Sequence, residues 1–294
     1  MNMKRLLILT VIVLAALTAC DRKTGIDVQA HRGGAGLMPE NTIPAMQNAL
    51  DLGVNTLEFD LQLSKDGQVV VSHDNFFHPR YSTRPDGSLV QWNDSKEYLY
   101  TMPYDIIAKY DVGLRPVSNW PDQKKIAAVK PLAGDLIDFT ESYAKKPVNY
   151  NIEIKSMEGV GEGILWPDYE TFCDTCIPLL LSKKLGKRLT VQCFDTRALN
   201  YMHEKWPELT LSYLTEAKDG GDIEKLLEKL TFKPKWWSPE SSVVTKENVA
   251  WCHSHRIRVV PWTVDDPEEM RRLVDCRVDA IISNYPDILI DTVR

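Results

Sequence analysis

No stretch of this sequence gathers lysine and arginine into a stripe, although 35 of its 294 residues are Lys or Arg. Asp and Glu number 41, so the formal net charge is −6. Affinity for a phosphate backbone needs a concentrated basic face, and nucleic-acid binding is therefore disfavoured. Two catalytic signatures are also missing. No G-x-G-x-x-G follows the first strand, as it normally does in a doubly wound nucleotide-binding sheet. No G-x-S-x-G elbow is present, which removes the usual Ser-His-Asp hydrolase. Nor does any apolar run reach the roughly 20 residues that span a bilayer.

The longest apolar run is Leu6 to Leu17, directly after Lys4 and Arg5. A short apolar core behind a positive start reads as an export signal. Its end, Leu17-Thr18-Ala19-Cys20, resembles the lipobox of bacterial lipoproteins. That resemblance implies a signal peptide over residues 1–19 and acylation of Cys20, which becomes the new N-terminus. The expected location is the bacterial cell envelope, exported and tethered to a membrane by lipid. Setting Cys20 aside leaves five cysteines, an odd number that excludes a complete disulfide framework. Cys173-Asp174-Thr175-Cys176 is a lone CxxC without a second pair at zinc spacing, and fits a local disulfide or two reduced thiols better than zinc. Cys193, inside the strand-like VQCF, reads as a small buried hydrophobe.

What remains is ordinary globular material, 44% hydrophobic and 26% charged. From residue 26 short β-branched runs alternate with longer helical patterns. The strand candidates are IDVQA, TLEFDLQL, VNYNIEIK, LTVQCFD, LTLSYL, KWWSP, RVVPWTV and DAIISN. Helical periodicity lies between most of them, as in IPAMQNALDLG, where Ile43, Met46 and Leu50 share a face, Asn41 or Thr42 can cap the start and Gly53 ends it. Eight strands with intervening helices predict a (β/α)8 TIM barrel, with residues 20–294 as one domain. After the second strand, residues 75–122 lack periodicity but are rich in aromatics. They read as a small insertion packed over the barrel mouth.

The stretch HRGGAGLMPENT places His31 and Arg32 at the end of strand one, where the catalytic groups of such a barrel gather. Glu58 and Asp60 lie two apart in LEFD, and Glu153 and Lys155 in NIEIK, so each pair shares one side of its strand. A tight Asp66-Gly67 hairpin turn would pair Lys65 with Gln68 and return His73 opposite Asp60. Glu58, Asp60 and Glu153 then form a carboxylate cluster whose repulsion one divalent cation would relieve. All-oxygen ligation selects Ca2+ or Mg2+. Arg32 and Lys155 suit an anionic phosphoryl group, and two histidines suit acid/base cleavage of a phosphodiester. The other histidines lack an acidic partner at metal spacing.

Together HRGGAGLMPENT, LEFDLQLSKDGQVVVSHD, NIEIK, VVPWTVDDPEEM and DAIISNYPD resemble the glycerophosphodiester phosphodiesterase family over nearly the whole chain beyond the leader. The resemblance implies a (β/α)8 barrel with an insertion after the second strand, and hydrolysis of glycerophosphodiesters to glycerol 3-phosphate and an alcohol. It implies His31 and His73 as the acid/base pair, Glu58, Asp60 and Glu153 as metal ligands, and Arg32 and Lys155 on phosphate. Glu40 matches the family's PENT acid, supporting Arg32 or the metal ligands, and Trp262 matches a tryptophan of the pocket wall. Where the family often has Thr-Asp, this chain has Ser283-Asn284, a difference expected to lie away from the metal and to bear on substrate preference. Two other readings stay open: action on larger lipids, lysophospholipids or phosphoinositides, and a silent envelope lipoprotein that only binds a phosphorylated ligand.

Overall fold

The computed structural model describes residues 25–293; the expected signal peptide and Cys20 lie outside them. Among the described residues are nine strands: β1 (Asp27–Ala30), β2 (Thr56–Leu63), β3 (Val69–Val71), β4 (Asn149–Ile154), β5 (Leu189–Cys193), β6 (Thr210–Thr215), β7 (Trp236–Pro239), β8 (Arg258–Val259) and β9 (Ala280–Ser283). All but β3 run parallel in the order β8-β7-β6-β5-β4-β2-β1-β9. Backbone bonds from Asp279 N to Val259 O (2.9 Å) and from Ile282 N to Pro261 O (3.0 Å) join β9 to the chain leaving β8. These close the ring, and the predicted (β/α)8 barrel is the fold. Helices α1 (Ile43–Leu52), α3 (Ala133–Tyr143), α4 (Tyr169–Ser182), α5 (Thr196–Lys205), α6 (Ile223–Leu227), α7 (Lys246–Ser254), α8 (Pro267–Asp275) and α9 (Pro286–Val293) surround it; a short α2 (Tyr104–Ile107) lies in the insertion. Helix α9, which starts at the Pro286 of the last sequence motif, was not anticipated; Pro286, Leu289, Ile290 and Val293 are its buried positions.

Strand alternation divides the side chains. On β2, Leu57, Phe59, Leu61 and Leu63 join the large core between barrel and helices. Glu58, Asp60 and Gln62 take the other side, yet all three are buried. The interior has two characters. Trp236, Val260, Ala280 and Ile282 form an apolar cluster, with Trp262 against it. Opposite them, Asn151 donates through Nδ2 to Gln29 Oε1 (2.9 Å) and Gln192 Oε1 (3.0 Å), an amide layer across three strands. A buried carboxylate needs hydrogen-bond donors nearby, and this layer supplies one.

Residues 75–122 have their own small core, which includes Phe77, Tyr81, Leu99, Ile107 and Tyr110. Phe77 and Tyr110 stack with centroids 3.8 Å apart. That core accounts for much of the aromatic content the periodicity did not explain. The hairpin register differs from expectation by one residue. Leu61 pairs with Val71 and Leu63 with Val69, so Ser72, not His73, lies opposite Asp60. The loop is three residues, Lys65 to Gly67, closed by Ser64 N to Gln68 O at 3.0 Å. Gly67 takes φ +73°, which glycine adopts without strain. The described cysteines are all buried free thiols, so Cys173 and Cys176 form neither a disulfide nor a metal site.

Phe59 is fully buried and meets Tyr150 edge-on at 6.4 Å. Phe59→Ala is expected to lower stability by about 3–5 kcal/mol in denaturant unfolding. A loss under 1 kcal/mol would show that the outer face of β2 does not anchor the helices.

Candidate active site

The loop after β1 is set by unusual backbone. Gly33 has φ +81°, and a Cβ there would lie 2.7 Å from that of Ala45, so the chain passes tight against α1. Arg32 has φ +53° and Asn41 φ +58°, positions that cost a non-glycine residue about 1 kcal/mol or more. Each repays that strain with a contact at the mouth. The Arg32 N–H donates to Glu58 Oε2 at 2.8 Å, and its Nη1 lies 2.9 Å from Glu40 Oε1. Asn41 donates through Nδ2 to Asp60 Oδ2 at 2.8 Å, leaving Thr42 to cap α1.

Glu58, Asp60 and Glu153 each present an oxygen within 4.8 Å of the others, and all three are buried. Desolvation by burial raises Glu58 and Glu153 above the ordinary carboxylate range, and Asp60 adds to both shifts. Burial acts on Asp60 the same way, but Lys155, His73 and Arg32 outweigh it and hold Asp60 well below that range. The Lys155 ammonium sits 2.9 Å from Glu153 Oε1 and 3.8 Å from Asp60 Oδ1. Both cations expected on phosphate thus lean on carboxylates here. Within this cluster two buried atoms make no hydrogen bond, Asp60 Oδ1 and Arg32 Nε. The first suits a cation and the second an anion. An all-carboxylate donor set with one orphaned oxygen fits a hard divalent ion.

His31, Arg32, Glu58, His73, Glu153 and Lys155 line one cavity of about 360 Å3. Its other wall is apolar and includes Phe194, Leu214, Trp262 and Ile282. Trp262 donates through Nε1 to Ser238 O at 2.9 Å and meets Phe194 edge-on at 5.4 Å.

The chain from residue 31 to 288 matches the model of the glycerophosphoryl diester phosphodiesterase family. The chain belongs to that family. A glycerophosphodiester phosphodiesterase of Caldanaerobacter subterraneus subsp. tengcongensis is 27% identical over 267 residues, covering 91% of this chain and 97% of its own. A lysophospholipase D of Mus musculus is 26% identical over 285 residues, covering 89% of this chain and 84% of its own. A crystal structure from Silicibacter pomeroyi superposes with a TM-score of 0.80 at 27% identity, covering 90% and 93% of the two chains. The protein is therefore an enzyme, a phosphoric diester hydrolase.

The two histidines that line the cavity have unlike partners. Asn284 Oδ1 lies 2.7 Å from His31 Nδ1, so Asn284 touches the site that the sequence reading placed it away from. Strand β9 ends at the mouth beside β1, which is why a residue 253 positions away arrives there. Asp265 accepts from Asn284 Nδ2 (2.7 Å) and from its backbone N–H (2.9 Å). An ionised carboxylate only accepts, so the Asn284 carbonyl must face His31. His31 Nδ1 then carries the proton, and Nε2 is left as a lone pair. His73 Nδ1, by contrast, lies 3.1 Å from the Asp74 carboxylate, itself held by Tyr81. Other supports went unread in the sequence. Gln192 donates to Glu58 Oε1 at 2.9 Å, and buried Lys130, pushed down to about 8 by burial, donates to Ser72 at 2.6 Å.

Burial, aided by the charge of Arg32, lowers His31 well below the usual imidazole range. Below about pH 6.5 the unfolded chain takes up a proton at His31 that the folded enzyme refuses, so this residue costs stability as pH falls. NMR titration of its ring should show no protonation between pH 8 and pH 5. A midpoint near 6.5 would contradict the burial.

Proposed function

We propose that this enzyme is an exported, lipid-anchored hydrolase that cleaves glycerophosphodiesters to glycerol 3-phosphate and an alcohol with a bound divalent cation. The observation that carries the reading is the cavity in which two unlike histidines, two cations, Glu58 and Glu153 meet, with Asp60 buried within 4.8 Å of both acids. Glu58, Asp60 and Glu153 would hold Ca2+ or Mg2+, and that ion would supply positive charge to the phosphoryl oxygens. Arg32, whose Nε makes no hydrogen bond although Asp60 Oδ2 lies 3.4 Å away, and Lys155 would grip the phosphate, while Glu40 and Asn41 keep Arg32 and Asp60 aimed. His31, backed by a neutral amide and kept neutral, is suited to take the proton from the attacking hydroxyl. His73, backed by a carboxylate, is suited to protonate the departing alkoxide. Two groups with environments of opposite character support that division of roles. The wall of Phe194, Leu214 and Trp262 would cover the apolar carbons of the substrate and thin the water around the phosphate.

A second reading, action on lysophospholipids, is favoured by exposed Val160 and Ile164 on the loop after β4, beside Met157 of the cavity wall, and by the lysophospholipase D relative. With glycerophosphocholine, glycerol 3-phosphate release should stop with EDTA and return with one of the two cations. His31→Ala and His73→Ala should each cut turnover by about 100-fold or more with the fold retained. Release of lysophosphatidic acid from lysophosphatidylcholine at a higher rate would favour the second reading. For the anchor, mass spectrometry of the N-terminal peptide should show acyl chains on Cys20; an unmodified or uncleaved leader would remove it.

A further inference from the structure

The two ends of the barrel carry opposite charge. The loops entering β4 to β9 at the floor (residues 144–148, 183–188, 206–209, 228–235, 255–257 and 276–279) hold eleven Lys and Arg against three Asp and Glu. The loops leaving the same strands at the mouth (155–168, 194–195, 216–222, 240–245, 260–266 and 284–285) hold two against ten. In a chain of net charge −6, the floor loops thus carry eight surplus positive charges, two of them (Lys183 and Arg188) paired with Asp138 and Glu141 of α3, and the mouth loops, the insertion aside, carry eight surplus negative ones, two of them (Glu162 and Asp195) paired with Arg197. Lys145, Lys184, Lys233 and Arg256 are exposed there and pair with no carboxylate among the described residues. Lys187, Lys235 and Arg258 line a polar cavity of about 560 Å3 that opens at the same end. No linear stripe announces this face, because each loop contributes only a few cations and the barrel gathers them.

Strand β1 also begins at the floor, at Asp27. Cys20 lies seven residues earlier, and seven extended residues reach about 25 Å at most. A lipid on Cys20 therefore holds the membrane to this end and leaves no length to bring it around to the mouth. We propose that the floor is a docking face for an anionic lipid surface, with the catalytic mouth turned to water. Roughly four to eight clustered cations suffice to bind an anionic leaflet. The acidic mouth is repelled by that leaflet, so charge and tether orient the barrel the same way. The substrates that reach the site are then water-soluble, deacylated phosphodiesters, not lipids embedded in the holding membrane. The proposal shares the lipid-anchor reading only for the tether; the charge polarity does not depend on it.

Residues 21–294 contain every strand and helix of the barrel and lack the acyl chains, so their flotation on vesicles reports the floor alone. They should float with phosphatidylcholine vesicles containing phosphatidylglycerol, stay behind with phosphatidylcholine alone, and be released by added salt. The combined variant Lys184→Gln, Lys187→Gln, Lys233→Gln and Lys235→Gln should lose about 100-fold or more of that partition. Its turnover of glycerophosphocholine in solution should be unchanged. Lys124→Gln with Lys125→Gln, exposed just beyond the insertion and away from the floor loops, should leave partition unmoved. Equal binding to both vesicles, or equal loss in this control variant, would overturn the proposal. So would duplex DNA binding as tightly as anionic vesicles at the same salt, which would assign the face to polyanions in general.

Discussion

Three carboxylates held within 4.8 Å of one another in a buried pocket are the constraint around which the mouth is built. Two like charges at about 4 Å repel by roughly 4 kcal/mol at an effective dielectric of 20, before any cost of burial. Much of the surrounding structure answers that repulsion. Gln192, Asn41 and the Arg32 N–H donate to the acids, and the Lys155 ammonium sits between Glu153 and Asp60. The left-handed backbone of Arg32 and Asn41 exists to deliver those donors. Even so Asp60 Oδ1 remains without a hydrogen bond, so the protein has not closed the cluster on itself.

The same asymmetry runs through the barrel. One side of the catalytic cavity carries Glu58, Glu153, Arg32 and Lys155, and the other is an apolar wall of Phe194, Leu214, Trp262 and Ile282. A phosphodiester has a charged centre and carbon-rich arms, and a cavity with one wall of each kind matches both parts. The second asymmetry, basic floor against acidic mouth, lies along the barrel axis and bears on where the enzyme works, not on what it does.

The strand and helix alternation was legible because parallel strands are short, apolar and separated by amphipathic helices. The Glu58/Asp60 and Glu153/Lys155 pairs were legible because alternation along a strand is a local property. What escaped had one local cause and several non-local ones. The register at Asp60 depended on whether Gly67 turned two residues or three. Asn284 meets His31 only because β9 closes against β1. The cations of the floor come from several loops scattered over 135 residues, and only the barrel brings them to one face. Residues 75–122 carry aromatics without period because their core is assembled from turns and single bridges, such as Phe76 with Tyr98.

We infer that the carboxylate cluster is a cation site whose like charges destabilise the fold unless a cation binds. Thermal unfolding of the wild type and Glu58→Gln, each in EDTA and in excess Ca2+ or Mg2+, tests it without reference to turnover. In EDTA the variant should melt higher, because it removes a buried charge whose ionisation the fold opposes. With the cation the wild type should gain and the variant should not, so the order reverses. A wild type that melts higher in EDTA and does not respond to either cation would contradict the claim.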